Sequence, residues 1–323
     1  MSLIAYAAYS KNEEIRYNSS SGGIFSELAN YILTINGYVA GAAFDDDYKS
    51  VTHIIINDKK DISKITTSKY LQSKFHIHKE IEDKLKNGKT VLCCGTPCQI
   101  AGLKSYLKKD YSNLYTVDFI CHGTPLQKIW KKYLDFQEEK NQDKVSHVNF
   151  RSKENGWNNF HLTFLFESGK KHSQIFDKDP YMQLFLNNFS LNKGCFECKF
   201  KGANRKSDIT LGDFWGIDEE LPEMNDNKGV SVVTVNTQKG KELFDEIKNY
   251  LTYCEIEENR AFKHNFCAEY SVEKPINYEC FTDDIDKLPF EILAKKYIPK
   301  QTFKQKLKKF RVIKLLIKIK NKF

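Results

Sequence analysis

Cys98, Cys121, Cys195 and Cys198 are the four of nine cysteines that stand where chemistry can use them. Cys98 lies in VLCCGTPCQIAGLK, residues 91–104: a short apolar run, a Gly95-Thr96-Pro97 turn, then an amphipathic stretch with the thiol at its start. Cys121 opens CHGTP, residues 121–125, a second turn of the same kind. Cys195 and Cys198 form a C-x-x-C pair in GCFECKFKG, a spacing that lets two sulfurs grip one ion or cluster, while Gly194 and Gly202 leave the loop room to wrap it. Proline pins each turn, and a helix N-terminus favours thiolate over thiol. If the strands before the two turns are neighbours, Cys98 and Cys121 converge and four ligands result. By count, a 4Fe–4S cluster and a zinc ion fit equally. Cys93, Cys94, Cys254, Cys267 and Cys280 lack pairing or turn context and read as small buried hydrophobes.

A second set of polar residues suits an anion. Ser19-Ser20-Ser21-Gly22-Gly23 precedes an amphipathic run, so its amides and the helix dipole make either an anion site or an ordinary cap. It is not the G-x-G-x-x-G fingerprint. Ser68, Lys69, Gln72 and Ser73 in TTSKYLQS precede another helix and by themselves read as its solvated start, although a lysine there also suits a negatively charged partner. Asp208, Asp213 and Trp215 bracket a strand and a glycine turn in SDITLGDFWG, with Phe214-Trp215 as core or as a shield. His122 reads as a turn residue rather than a proton relay, and Arg151 and Trp157 in FRSKENGW complete the candidates.

The elements that must position these residues follow from apolar periodicity. Ile24, Phe25, Leu28, Ile32 and Ile35 make one helical stripe ending at Gly37. TVLCCG-TPC-QIAGLKSYLKK and LYTVDFICHG-TP-LQKIWKKYLDFQEEK each read strand, turn, helix, and consecutive units of this kind imply parallel strands with right-handed crossovers. Ligand sites collect where the C-terminal ends of such strands meet. From residue 145 the pattern turns β-rich, with VSHVNFRS, FHLTFLFES, DITLGDFWG and VSVVTVNT, before the helix KGKELFDEIKNYL and a less regular segment to about residue 300. The expected fold is therefore mixed α/β: a partly parallel sheet with βα units, a β-rich half, one main body, and a basic C-terminal helix.

Net charge is +8, and its location matters more than its size. The last 23 residues, QTFKQKLKKFRVIKLLIKIKNKF, hold nine Lys and Arg and no acid; removing nine from 50 leaves 41 basic residues against 42 acidic in the rest. A nearly neutral body argues against a nucleic-acid partner. Phe303, Leu307, Phe310, Ile313 and Ile317 fall on one helical face of that tail, which suits an anionic membrane interface; a partner-binding helix and a solvated tail are the alternatives. No run of about 18 apolar residues spans a membrane, and MSLIAYAAYSKNEE lacks the basic start of a signal peptide. A cytoplasmic chain with reduced thiols, peripheral at the inner face of the membrane through residues 301–323, is the expectation.

SSSGGIFSELANYIL, SKYLQS, VLCCGTPCQIAGLK, VDFICHGTP, CFECKFKGANRKSDITLGDFWGI and NDNKGVSVVTVNT, in that order, resemble the coenzyme F-420 hydrogenase/dehydrogenase beta-subunit family over about residues 15–245. The resemblance implies a flavoprotein that binds FAD and a 4Fe–4S cluster. Such proteins pass electrons between the cluster, the flavin and a hydride carrier such as a deazaflavin or nicotinamide coenzyme. It implies Cys98, Cys121, Cys195 and Cys198 as iron ligands. It implies flavin contacts from Ser20, Ser21, Gly22, Gly23, Ser68, Lys69, Gln72, Ser73 and Thr96. It also implies a division into residues 1–82 (flavin loop), 83–255 (cysteines), an irregular extension 256–300 and the tail 301–323. Many relatives carry an upstream C-x2-C-x2-C-x3-C-P segment that this sequence lacks, so one cluster and an external redox partner protein are expected. Shortened relatives occur near polysaccharide-synthesis genes, and a zinc-stabilised, non-redox scaffold in polysaccharide assembly is the rival reading.

Overall fold

The structure, a computed structural model, describes residues 4–202 and 205–299. The expected C-terminal helix lies outside these residues. In chain order the first half runs β1 (Ile4–Ser10), α1 (Glu13–Tyr17), α2 (Ile24–Thr34), β2 (Tyr38–Phe44), β3 (Val51–Ile56), α3 (Ile62–Ile65), β4 (Ser73–Lys74), α4 (His78–Lys86), β5 (Val91–Cys94), α5 (Pro97–Leu107), β6 (Leu114–Phe119) and α6 (Gln127–Asn141). Then come β7 (Val145–Ser152), β8 (His161–Phe166), β9 (Lys171–Ile175), α7 (Pro180–Leu186), β10 (Ile209–Asp213), α8 (Ile217–Glu220), β11 (Ser231–Val235), α9 (Gln238–Ile247), β12 (Leu251–Ile256), α10 (Glu258–Phe262), α11 (Tyr278–Ile285) and α12 (Phe290–Tyr297).

Nine strands form one sheet in the order β12-β1-β11-β10-β6-β5-β2-β3-β4. Its centre, β10-β6-β5-β2, is parallel, and β5 and β6 are direct neighbours. The flanks are antiparallel where β1 and β11 pair and where β2 turns back into β3. Two antiparallel steps, β1 to β11 and β11 to β10, leave β1 running the same way as β10. The chain therefore leaves β1, β2, β5, β6 and β10 at one common edge.

Period-2 alternation in the strands builds a core on both faces of the sheet. Leu92, Val117, Ile209 and Val233 point toward α2 and α9, where Leu28, Ile32, Leu243 and Phe244 cover them. Val91, Cys93 and Leu114 point the other way, under Ile81 and Leu85 of α4 and Ile100 and Leu103 of α5. Each such fully buried Leu or Ile contributes about 1.5–3 kcal/mol, so two covered faces hold the strand ends in fixed register.

Between β6 and β10 the chain makes a long excursion above the common edge. β7, β8 and β9 form a separate antiparallel sheet, packed with α6, α7, α11 and α12 around Trp130, Tyr133, Phe150, Phe164 and Tyr181. The segment expected to be irregular after residue 256 thus includes two short helices that close this aromatic core.

Candidate functional site

The two Gly-Thr-Pro turns do different work. The first opens a helix as the sequence suggests. Thr96 is the N-cap of α5, its hydroxyl accepts from the Gln99 amide, and the Gln99 side-chain oxygen accepts from the Thr96 amide at 2.9 Å. Pro97 takes the first helical position and Cys98 the second, with its sulfur 3.1 Å from the Thr96 hydroxyl. The second turn opens no helix, since α6 starts later, at Gln127. Instead it grips the C-x-x-C loop: the Thr124 amide donates to Cys195 Sγ at 3.4 Å, and the Asn192 amide donates to the Thr124 carbonyl at 2.9 Å. Gly123, at φ +155°, is required there, because a Cβ would sit 2.9 Å from Leu191 and 3.3 Å from the Cys195 side chain.

The four expected ligands come together. Burial pushes the Cys98 thiol up, and the neighbouring Cys198 and Cys195 push it further, although one side of the residue faces solvent. Burial pushes Cys121 up to about 12; the Lys201 ammonium opposes this, while Cys195, Cys98 and Cys198 each add to it. Lys201 donates to the carbonyls of Cys121 and Cys267, and the Cys198 amide donates to Ser271 Oγ at 3.0 Å. The thiolate expected for Cys98 at a helix N-terminus is therefore not favoured by its surroundings. Burial and the two neighbouring thiols, Cys198 and Cys195, outweigh the helix end. Among the described residues no three His, Cys, Asp or Glu side chains are drawn tightly enough to hold a single metal ion. One zinc would bring its sulfurs to about 3.8 Å apart, given Zn–S bonds of about 2.3 Å. Four thiols in one another's field make a sulfur-rich set that could be drawn onto a metal ion or cluster.

The Ser-Gly loop shows a consistent polarity. Its carbonyls turn inward: Ser20 O accepts from Arg151 at 3.0 Å, Ser21 O from Lys153 at 2.7 Å, and Gly22 O from the Ser10 amide at 2.7 Å. The Gly22 amide meets Ser231 Oγ and the Ser21 hydroxyl meets Val230 O. Gly22 has no room for a side chain, because a Cβ would lie 2.4 Å from Ala8 O. Gly23 is the N-cap of α2, left-handed at φ +88° and without a side-chain cap. Among the described residues nothing accepts from the amides of Ser20, Ser21, Gly23, Ile24, Phe25 or Ser26. A loop with its carbonyls tied back and its amides free is a receptacle for phosphate oxygens, so the donors present fit a pyrophosphate.

Residues 68–73 bridge the loop and the cysteines. The Ser68 amide donates to Ser20 Oγ at 2.7 Å. Five residues on, Ser73 Oγ accepts from Gln99 of α5 at 2.9 Å, and Gln72 bonds both Pro125 O and the Asn192 side chain. Between them Lys69 donates to Thr66 O at 2.6 Å, and burial pushes its ammonium down to about 7. Beside it, His53 is pushed to about 4 by burial, against hydrogen bonds to the backbone at Cys94, through Nε2, and at Lys74. Asp118, on β6, is pushed up by burial, while Arg205, Thr210 and Ser207 pull its carboxyl down.

Other candidates sort by what they touch. Asp208 is structural, tying Thr116 of β6 and Thr237 ahead of α9 to β10. Asp213 accepts from Arg151 and from Trp157, whose ring stacks on Trp215 at 5.1 Å with planes 6° apart; Phe214 is core. His122 is more than a turn residue, since its ring joins Asn188 at 2.8 Å to Cys267 at 3.5 Å. Cys93 is core as expected, but Cys280 is exposed on α11 rather than buried. Lys153, Tyr70, His53 and Lys201 were not singled out by sequence. Only Lys153 carried a signal, as a second cation two positions from Arg151 at the end of an aromatic strand.

Comparison with known families and structures follows this geometry. The model for the C terminus of the coenzyme F420 hydrogenase/dehydrogenase beta subunit matches residues 88–259, and the model for its N terminus matches residues 5–76. No functionally curated protein matches the sequence. Among solved structures, a chain of the xenon-derivatised F420-reducing [NiFe] hydrogenase complex from Methanosarcina barkeri superposes with TM-score 0.54 at 17% identity, covering 88% of this chain and 91% of that one. At that identity the likeness shows a shared fold.

Proposed function

Because this chain belongs to the coenzyme F420 hydrogenase/dehydrogenase beta-subunit family, we propose that it binds FAD and one 4Fe–4S cluster and passes electrons between a hydride carrier and a one-electron partner. It is an oxidoreductase resembling that beta subunit. In the proposal Cys98, Cys121, Cys195 and Cys198 hold the cluster. The amides of residues 20–26 hold the pyrophosphate, and Ser68, Lys69, Gln72, Ser73 and Thr96 line the space between the two. Flavin chemistry there converts a two-electron hydride into single electrons. Residues 1–82 bring the phosphate loop and residues 83–255 the thiols. The observation that carries the proposal is the meeting, at one sheet edge, of four coupled thiols and an amide-lined loop bridged by a six-residue segment. Amide donation to Cys195 is the kind of contact that tunes a cluster's potential.

A visible spectrum with iron, zinc and flavin analysis on anaerobically purified protein tests this. Flavin peaks, a dithionite-bleachable shoulder and about four iron per chain are expected. Colourless protein carrying one zinc after attempted cluster reconstitution would instead establish the zinc scaffold.

The electron partner is a separate protein in this proposal. Phe266 and Tyr270, 59% and 57% exposed with rings stacked at 5.1 Å, precede Ser271, the bonding partner of the Cys198 amide, and offer an apolar landing beside the cluster. A link to polysaccharide synthesis and a cytoplasmic site belong to the same proposal. For the tail, the expected result is co-sedimentation of the intact protein with anionic liposomes and its loss on removing residues 301–323. Equal binding by the truncated chain would end the membrane reading.

A further inference from the structure

Two cations at the end of β7 face the phosphate loop from inside the protein. Arg151 and Lys153 are only 3% and 6% exposed. Lys153 Nζ donates to three carbonyls from three segments: Arg16 O at 2.7 Å, Ser21 O at 2.7 Å and Lys228 O at 2.9 Å. Gly229, at φ +110°, leaves it room, for a Cβ there would lie 3.0 Å from Nζ and 2.7 Å from Ser21 O. Arg151 reaches Ser20 O, Tyr70 and Asp213 with its fork, under the Phe160 ring at 3.9 Å, while its Nε is buried without a partner.

We infer that Arg151 and Lys153 are positioning residues that hold the amides of the Ser20–Gly23 loop aimed at a bound phosphate. The reason is the planar trans peptide: fixing a carbonyl on one side points the next residue's N–H to the other. Arg151 on Ser20 O thus aims the Ser21 amide outward. Lys153 on Ser21 O fixes the adjoining peptide, whose amide meets Ser231, so the turn cannot roll over. The Arg151 guanidinium on the Ser20 carbonyl also polarises that peptide and strengthens its N–H as a donor. Neither side chain needs to touch the ligand. Lys153 does no more than join three loops by their carbonyls, a geometry a neutral side chain of similar length does not reproduce. The inference rests on the flavin reading.

The test measures binding of FAD, ADP and riboflavin to full-length protein stripped of flavin, for wild type, Lys153→Met, Lys153→Arg and Arg151→Lys. Lys153→Met is expected to weaken FAD and ADP by about tenfold or more, as suits the loss of charged hydrogen bonds, and to leave riboflavin, which has no phosphate, within about twofold. Lys153→Arg, which still donates to carbonyls, restores most of the loss. Arg151→Lys, which keeps the charge without the fork, weakens ADP in the same way. Wild-type protein that binds FAD and ADP, with Lys153→Met equal to it, overturns this inference alone. A variant that loses all three ligands together with thermal stability overturns it too, since that marks general support of the fold. Wild-type protein that binds neither FAD nor ADP overturns the flavin reading with it.

Discussion

Serine in place of any one of Cys98, Cys121, Cys195 or Cys198 is expected to take iron from about four atoms per chain toward zero. The four thiols come from separate segments, the α5 start, the β6 exit and the C-x-x-C loop, and each is coupled to the others. An alkoxide oxygen is a harder donor than thiolate and suits iron–sulfur clusters poorly. Cys280→Ser, on an exposed face of α11, is the matched control and should keep full iron. Iron and sulfide analysis after anaerobic reconstitution decides the matter: one of the four variants with undiminished iron would remove that residue from the ligand set. Cys267 is the natural replacement to examine, since Lys201 ties its carbonyl to that of Cys121 and its sulfur lies 3.5 Å from His122.

Lys69→Met is expected to lower the flavin midpoint potential and to flatten its dependence on pH. Burial holds the Lys69 ammonium at about 7, far below an ordinary lysine, so above that pH the side chain is mostly neutral. Negative charge arriving next to it draws a proton back, since an opposite charge raises a cation's affinity for its proton. Proton uptake on reduction makes the potential fall as pH rises, by about 30 mV per unit for one proton and two electrons. Wild type should therefore fall by about that much more per unit than Lys69→Met between about pH 7 and 9, a window set by the shifted value. Potentiometric titrations of both proteins over that range check it. Parallel slopes would show that Lys69 does not sense the redox state.

Much of this organisation is legible in the sequence where local signals and tertiary need agree. The capping box around Thr96 and the apolar strands on either side of it place β5 and β6 correctly, side by side and parallel. The C-x-x-C spacing and the Ser-Gly run carry their meaning in a few residues. What was not legible depends on partners far along the chain. The second Gly-Thr-Pro looks like the first, but its role comes from Cys195 and Asn192, about 70 residues away. α11 and α12, YECFTDDI and FEILAKKY, are eight residues each. They are too short to stand on propensity and form because Phe281, Phe290 and Leu293 enter an aromatic core. Lys153 hides for the same reason: a lysine after a strand reads as solvated until Ser21 and Lys228 close over it.

The bridge between loop and cysteines also sets an order of assembly. Its contacts join Ser20 with Ser68, and Gln72 with Asn192, and Ser271, farther along the chain, bonds the Cys198 amide at the thiol site. Each receptacle needs residues far apart in the chain, so in the proposed reading the cofactors are loaded once nearly the whole body has been synthesised. During that interval four thiols stand close together with nothing bound, a hazard for oxidation, which proceeds through the thiolate. The burial that holds Cys121 at about 12 and raises Cys98 keeps them protonated. In the proposed reading, protonation of these two thiols slows their oxidation before iron is bound.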